Sequence, residues 1–450
     1  MNILLKYLIE KMNQFPKSTI CDKTGSISYS ELLVYARQNC QMGIASCAKY
    51  GILCKSNINT VKAMFCCLFS GATAVVLSDR YGQAHCDKVI EKTKLSHLIT
   101  DDGIIEIAKR QPEVEDLSDV AYIMCTSGTT GKPKGAMITY ENMVANIRDI
   151  SDYFGVSKTD KILIARPLYH CSAITGELFT ALVNGLDIYF CNDGYNPAAL
   201  LDTIRKYEIS VFCCTPTLVY QLAMLAKRQK ENLPLKKVAV SGECLNKTVS
   251  EKLCEYFPYI DFFNVYGLTE ASPRVSYLPP CKFRDNPGSV GFPLNSVLLK
   301  VVDNELFVKG SNVMKGYYND SELTQKAFVN GWLKTGDDAF INEKGLLFIR
   351  GRKDDLIIRA GMNVYPQEIE NTLKQADGIL EALVYGLKTE TASEKICIKI
   401  VVDKLTKQKV FEICKKLLPK YQLPDVIEIV DELPKNASGK IVRLCKKEYS

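Results

Sequence analysis

Between Tyr50 and Val240, short apolar runs alternate with longer stretches whose apolar residues recur at helical spacing, and this alternation constrains the fold more than any other feature. Candidate strands at 51–54, 73–77, 97–100, 161–165, 186–190, 210–214 and 237–240 are separated by candidate helices, among them 175–184, 198–206 and one from Leu218. Strand-helix-strand order of this kind predicts parallel sheets with helices on both faces. Two doubly wound α/β halves are expected to face each other across a cleft, with ligands at the carboxyl ends of the strands. The apolar run 63–77 is broken by Ser70 and Gly71 and reads as a buried helix followed by a strand. It is too short to span a bilayer, so no membrane insertion is expected.

The pattern changes after Leu278. Residues 297–308 form two alternating strands around Asp303-Asn304, residue types suited to a tight hairpin, and a second hairpin is predicted around 342–345. A small β-barrel-like portion is therefore expected over about 280–349. Beyond it, helix 366–376, strands 379–387 and 396–402, helix 407–418 and strand 425–430 predict a smaller α+β domain. The 450 residues exceed what one core usually organises. The division read from the sequence is 1–350, a hinge at 351–354, and a mobile domain at 355–450. At the start of the chain a surface helix over residues 1–20, a strand at 25–29 and a helix capped by Ser28 or Ser30 are predicted.

Chemistry concentrates first at residues 126–135, Thr-Ser-Gly-Thr-Thr-Gly-Lys-Pro-Lys-Gly. Gly128 and Gly131 permit tight backbone turns, Thr126, Ser127, Thr129 and Thr130 offer hydroxyls, and Lys132 and Lys134 offer positive charge, which together suit a phosphate. A P-loop is excluded by spacing, since Thr126 stands where a glycine is needed and Pro133 follows Gly131-Lys132. A strand at 121–124 should enter this loop and a helix over 136–150 should leave it. Further on, Asn264-Val265-Tyr266-Gly267-Leu268-Thr269-Glu270 reads as a strand ending at glycine that presents a hydroxyl and a carboxylate. A carboxylate beside a triphosphate is useful through Mg²⁺, which takes hard oxygen ligands.

These stretches resemble the signature motifs of the acyl-adenylate-forming superfamily of acyl-CoA and aryl-CoA ligases, peptide-synthetase adenylation domains and luciferases. Supporting motifs keep the superfamily's order: Ser241-Gly242-Glu243, Thr335-Gly336-Asp337, Arg352, the segment 361–370 and Leu433-Pro434-Lys435-Asn436-Ala437-Ser438-Gly439-Lys440. The resemblance implies that Thr269 contacts the α-phosphate, Glu270 holds Mg²⁺ and Asp337 accepts the ribose hydroxyls, with Arg352 donating from the other side. It also implies adenine and nucleotide contacts from Ser241, Gly242, Glu243, Asn264, Tyr266 and Gly267. Lys440 is implied to bridge the oxygens of the adenylation transition state, and Asp354 to be the hinge. An acyl pocket is implied at His170, Cys171, Ser241, Gly267 and Ala271, with His170 flanking the substrate carboxylate.

The function expected is ATP-dependent activation of a small carboxylic acid as acyl-AMP, with transfer to the thiol of CoA or of a carrier protein's phosphopantetheine. Three rivals are an amino-acid-adenylating enzyme, a luciferase-like oxidase and a catalytically silent nucleotide-binding scaffold. Amino-acid-activating relatives carry an aspartate where Cys171 stands, so a neutral-bodied aromatic or aliphatic acid is expected. A net charge of +6 on 57 basic and 51 acidic residues, without a basic stripe, gives no reason to expect nucleic acid. Eighteen scattered cysteines without CxxC spacing, and no signal-peptide pattern at residues 1–6, lead to an expectation of reduced thiols in a cytoplasm.

Overall fold

The computed structural model describes residues 1–441 apart from 41–42, 47, 79, 81, 110–112, 114, 128–132, 192–195, 230–231, 246, 360–361, 389–393 and 436–440, and apart from the side chains of residues 126, 127 and 388. Two large sheets carry most of it. The first has seven strands, in spatial order Gly316–Tyr317, Pro133–Thr139, Val120–Ser127, Thr73–Ser78, Lys49–Cys54, His97–Thr100 and Gly103–Glu106. Its centre is parallel and its edges antiparallel. The second sheet has fourteen strands. Its parallel part runs Thr19–Asp22, Asp187–Phe190, Lys161–Ile164, Val211–Cys214, Lys237–Val240 and Asp261–Gly267.

Alternate residues along these strands feed different cores, as the twofold strand period requires. In the first sheet Ala74, Val76, Tyr122 and Ile138 belong to the main core, whereas Val75, Leu77, Ile123 and Met137 pack on the other face. In the second sheet Ile162, Ile164, Val211 and Ala239 join that same main core, and Leu163, Phe212, Val238 and Val240 face a separate one. Helices Ile58–Ser70 and Tyr140–Phe154 and residues 171–184 fill the space the two sheets share. Phe179 sits there fully buried, 6.2 Å from Phe65 and 6.4 Å from Tyr122 between ring centroids. Truncating such a residue to alanine costs about 3–5 kcal/mol.

Three expectations need correction. The helix expected over 136–150 is a strand, Pro133–Thr139, followed by the helix Tyr140–Phe154. The Thr139 hydroxyl accepts from the Asn142 amide N–H at 3.0 Å and the Asn142 side chain accepts from the Thr139 N–H at 2.9 Å, a reciprocal cap that starts the helix there. The helix expected over 1–20 is confined to Ile3–Met12, and the strand Thr19–Asp22 crosses to pair with Asp187–Phe190 of the second sheet. The helix expected at 175–184 starts at Cys171 and contains a π-helical turn, Ile174–Phe179, before Thr180–Asn184. At residues 297–302 and 305–310 the expected hairpin forms, with Asp303 and Asn304 both at positive φ.

The β portion is hydrogen-bonded in the order Val297–Val302, Glu305–Gly310, Trp332–Ile341, Leu347–Arg352 and Ser289–Pro293, and Arg274–Leu278 joins it to the parallel strands. The C-terminal portion has its own core, built from the sheet Ile379–Lys388, Glu394–Val402 and Val426–Ile429 and the helices Pro366–Leu373 and Lys407–Leu417. No helix among the described residues is long and apolar enough to cross a membrane.

Candidate active site

The expected phosphate loop connects two antiparallel strands. Thr126 pairs with Lys134 and Ser127 with Pro133 across the ladder. Gly128, Thr129, Thr130, Gly131 and Lys132 lie outside the described residues, as do the side chains of Thr126 and Ser127. Lys134 is described, and its ammonium stands 5.9 Å from the Tyr317 ring centroid.

The strand Asp261–Gly267 leads into the turn Thr269–Ala271. Gly267 approaches the chain so closely that an added Cβ would lie 2.0 Å from the Pro273 carbonyl oxygen, which only glycine avoids. The turn Thr269–Ala271 then presents Glu270, whose Oε1 accepts from the Tyr317 hydroxyl at 2.9 Å. Burial and the nearby Glu270 carboxylate push the Tyr317 phenol far above its ordinary range, so it remains a donor. Sequence reasoning missed Tyr317, which stands 47 residues from its partner. Among the described residues no group of three or more His, Cys, Asp or Glu could hold a metal. One hard carboxylate fits Mg²⁺ that takes its remaining oxygens from phosphate and water.

A second group forms around Asp337. The Tyr266 hydroxyl donates to Asp337 Oδ2, and Arg352 Nη1 donates to Asp337 Oδ1 at 3.2 Å and to the Thr335 carbonyl at 2.7 Å. Asp337 and Arg352 are direct partners across the antiparallel pair Trp332–Ile341 and Leu347–Arg352. Burial works against the charge of Arg352, but Asp337 more than offsets this and raises the guanidinium above its ordinary value. Gly336, at φ +70°, would bring a Cβ to 3.0 Å from Arg352 Nη2, so this turn is fitted to the arginine. Asn264 is buried, and its amide donates to the Ser289 carbonyl at 2.7 Å. Glu243 Oε2 accepts from the Thr217 hydroxyl at 2.7 Å, and Gly242 adopts φ +95°.

The expected acyl-pocket residues come from separate elements. His170 precedes the helical segment that starts at Cys171, with its ring 4.4 Å from that of Tyr169. Burial pushes the Cys171 thiol up to about 12, so it is a neutral thiol rather than a nucleophile. Ser241, at the end of strand Lys237–Val240, receives Arg166 Nη1 at 3.3 Å and Nη2 at 3.4 Å, and Arg166 Nη1 also donates to Ser172 at 2.8 Å. Ala271 is buried beside Glu270. Arg166 was not anticipated from the sequence, although an arginine inside the apolar run 162–168 was a visible signal.

Asp354 occupies the short turn Lys353–Asp355, between the last strand of the large sheet and the hairpin Ile357–Arg359 and Met362–Val364. The C-terminal portion meets the large one where Tyr365 donates to Asp338 Oδ2 at 3.1 Å and the Cys244 thiol donates to Gln367 Oε1 at 3.0 Å. Lys440 lies outside the described residues.

Comparison with known proteins agrees with this arrangement. The AMP-binding enzyme family matches residues 105–318, and the AMP-binding enzyme C-terminal domain matches 368–440. The chain is 28% identical to the 2-succinylbenzoate–CoA ligase of Bacillus subtilis (strain 168), over 93% of this chain and 92% of that protein. It is 31% identical to a long-chain-fatty-acid–CoA ligase of Escherichia coli O6:H1, over 83% of this chain and 76% of the other. The o-succinylbenzoate CoA synthetase of Bacillus subtilis in complex with its acyl-adenylate intermediate superposes with a TM-score of 0.86 at 26% identity, covering 97% of this chain and 96% of that one. The same enzyme with ATP and magnesium gives 0.85 at 26% identity, covering 97% and 98%.

Fold and site together define an adenylate-forming ligase, which uses ATP and Mg²⁺ to convert a carboxylic acid to an acyl-AMP and passes the acyl group to a thiol. The chain belongs to the AMP-binding enzyme family.

Proposed function

We propose that this ligase makes the CoA thioester of a small carboxylic acid that is not an α-amino acid. A substrate carboxylate oxygen attacks the α-phosphorus of ATP and pyrophosphate leaves. The thiol sulfur then attacks the acyl carbon, AMP departs with the electron pair, and the thiol proton passes to solvent. Thr126, Ser127, Thr129, Thr130, Lys132 and Lys134 would hold the phosphates, Thr269 the α-phosphate and Asp337 the ribose. Glu270 would ligate Mg²⁺, which supplies charge neutralisation at the phosphates when bound. Lys440 would steady the charge of the first transition state, and rotation about Asp354, between portions 1–350 and 355–450, would replace it with the acceptor channel.

The exclusion of α-amino acids rests on one observation. The acid nearest Cys171 in the sequence reading, Glu177, is fully buried and has Arg166 Nη1 3.8 Å from its Oε1, so it faces a cation already. An α-ammonium group would meet Arg166 there without a carboxylate of its own. CoA as acceptor is supported by the CoA ligases among the relatives, and a cytoplasmic location by the described cysteines, none of which is in a disulfide. Thioester analysis with CoA and with a phosphopantetheinylated carrier, on acids and their α-amino analogues, tests the reading. CoA thioesters of the unsubstituted acids are expected, and preference for the carrier or for amino acids contradicts it.

A further inference from the structure

The helix Pro366–Leu373 of the C-terminal portion begins with proline, and Tyr365 stands at the position before it, where a short polar side chain ordinarily caps the first turn. The Tyr365 side chain makes no such cap. Its hydroxyl leaves the helix and donates to Asp338 Oδ2 of the large portion at 3.1 Å. Burial and the Asp338 carboxylate raise the Tyr365 phenol above its ordinary value, so it stays a donor. Asp338 is 3% exposed, and among the described residues its Oδ1 has no hydrogen-bond partner, with Arg350 Nη1 3.6 Å away. The backbone aims that arginine. Asp338 faces Gly351 and Ala339 faces Ile349, so the ladder skips Arg350, and a β-bulge of this kind turns a side chain out of the regular alternation. The guanidinium lies 4.6 Å from the Phe340 ring centroid and 6.0 Å from that of Tyr365, against both portions at once.

A second contact reaches the same helix start, where the Cys244 thiol donates to Gln367 Oε1 at 3.0 Å. Both contacts are made by a residue that directly follows an expected nucleotide motif: Asp338 follows Thr335-Gly336-Asp337, and Cys244 follows Ser241-Gly242-Glu243. Successive side chains of a strand point to opposite faces, so Asp337 turns to Tyr266 and Arg352 while Asp338 turns to Tyr365. The nucleotide side and the domain side are one peptide bond apart. Burying a carboxylate is unfavourable, and such a contact fixes geometry more than it adds net stability. That suits a joint that opens, because both Asp338 oxygens regain water when the portions separate. In the orientation described here the whole chain, both portions together, superposes on the relative that holds its acyl-adenylate.

We propose that Asp338 with Tyr365 and Cys244 with Gln367 form a two-point latch through which the nucleotide motifs hold the C-terminal portion in the orientation for adenylate formation. Asp338 and Tyr365 are then positioning residues for the first half-reaction. This rests on the ligase reading and deepens it, since a buried carboxylate beside Asp337 sets which orientation the hinge adopts.

The rate of each half-reaction is proportional to the fraction of molecules in its orientation, so the ratio of the two rates reads the latch directly. Acid-dependent pyrophosphate exchange reads the first half, with whichever of butyrate, octanoate, benzoate and phenylacetate the wild type uses fastest. Transfer from the matching synthetic acyl-AMP to CoA reads the second. Tyr365→Phe and Asp338→Asn should each lower the ratio of exchange to transfer by about tenfold or more, the value of a hydrogen bond to a buried charge. The double variant should lose no more than either single one, because both remove the same bond. A merely structural role would lower both halves together or only the melting temperature, and an unchanged ratio overturns the inference. Amide hydrogen exchange of the helix Pro366–Leu373, followed by mass spectrometry with and without Mg·ATP, needs no acid. The nucleotide should slow it severalfold in the wild type and not in Tyr365→Phe, and the same response in both overturns the inference. Absence of pyrophosphate exchange with every acid counts against the ligase reading, and amide exchange then decides the latch alone.

Discussion

Asp337 Oδ1 stands 3.2 Å from Arg352 Nη1 across one antiparallel strand pair, while the Tyr266 hydroxyl occupies its other oxygen. The carboxylate is oriented before any nucleotide arrives, and a planar group so held suits two vicinal ribose hydroxyls. Asp337→Ala should therefore raise the KM for ATP by about ten- to a hundredfold, the size of a lost charge-assisted contact, while the KM for the acid changes little. Initial rates at varied ATP and fixed acid check this. An unchanged KM for ATP would remove Asp337 from the nucleotide site.

Glu270 and Tyr317 make the second expectation. The Tyr317 hydroxyl occupies Oε1 of Glu270 at 2.9 Å, which aims the carboxylate. Glu270→Gln should raise the Mg²⁺ concentration for half-maximal activity by about tenfold or more, as loss of a charged ligand requires. Tyr317→Phe should shift it by only a few fold, the value of one neutral hydrogen bond's net contribution. Equal magnesium dependence in wild type and Glu270→Gln contradicts the assignment.

Glu177 gives a pH dependence. Its folded carboxyl is raised by burial to about 7, against an ordinary value near ~4.5 in the unfolded chain, so the folded state keeps a proton the unfolded state sheds first. Its share of stability is full below about pH 4.5, falls as pH rises toward about 7 and is flat above, a loss of about 3 kcal/mol. Glu177→Gln should lack this fall. Urea unfolding of both forms at pH 5 and pH 8 should show the variant gaining on the wild type at the higher pH, and parallel curves would refute the assignment.

Much of this site could be read from contiguous motifs. Thr269, Glu270, Asp337 and Arg352 each sit in a short stretch whose residue types already suit phosphate, magnesium or ribose. The parallel strands were equally legible, because each is an apolar run bounded by turns. The strand Pro133–Thr139 was not, since Ala136, Met137 and Ile138 suit either period and only the cap between Thr139 and Asn142 decides where the helix begins. Long-range partners were also out of reach. Thr19–Asp22 joins a strand that begins at Asp187, and Arg274 faces Gly176 through a π-helical turn that no local pattern announced.

Lys440 and Asp354 make a complementary pair of tests. Lys440→Ala should slow adenylate formation by hundreds-fold, the effect of about 3–4 kcal/mol of transition-state stabilisation, while transfer from supplied acyl-AMP to CoA persists. Asp354→Pro should do the reverse, because a fixed φ in the turn Lys353–Asp355 restricts the rotation the second half-reaction needs. Single-turnover assays of each half-reaction read the outcome. Equal losses in both halves for either variant would contradict the alternation of domains.

The central claim, an acid activated through its adenylate, is tested most directly by exchange of labelled pyrophosphate into ATP in the absence of any thiol. Exchange should require both the acid and Mg²⁺, and addition of CoA should convert the bound adenylate to thioester and AMP in equal amounts. Formation of ADP and phosphate, or exchange that begins only when the thiol is present, would contradict the account.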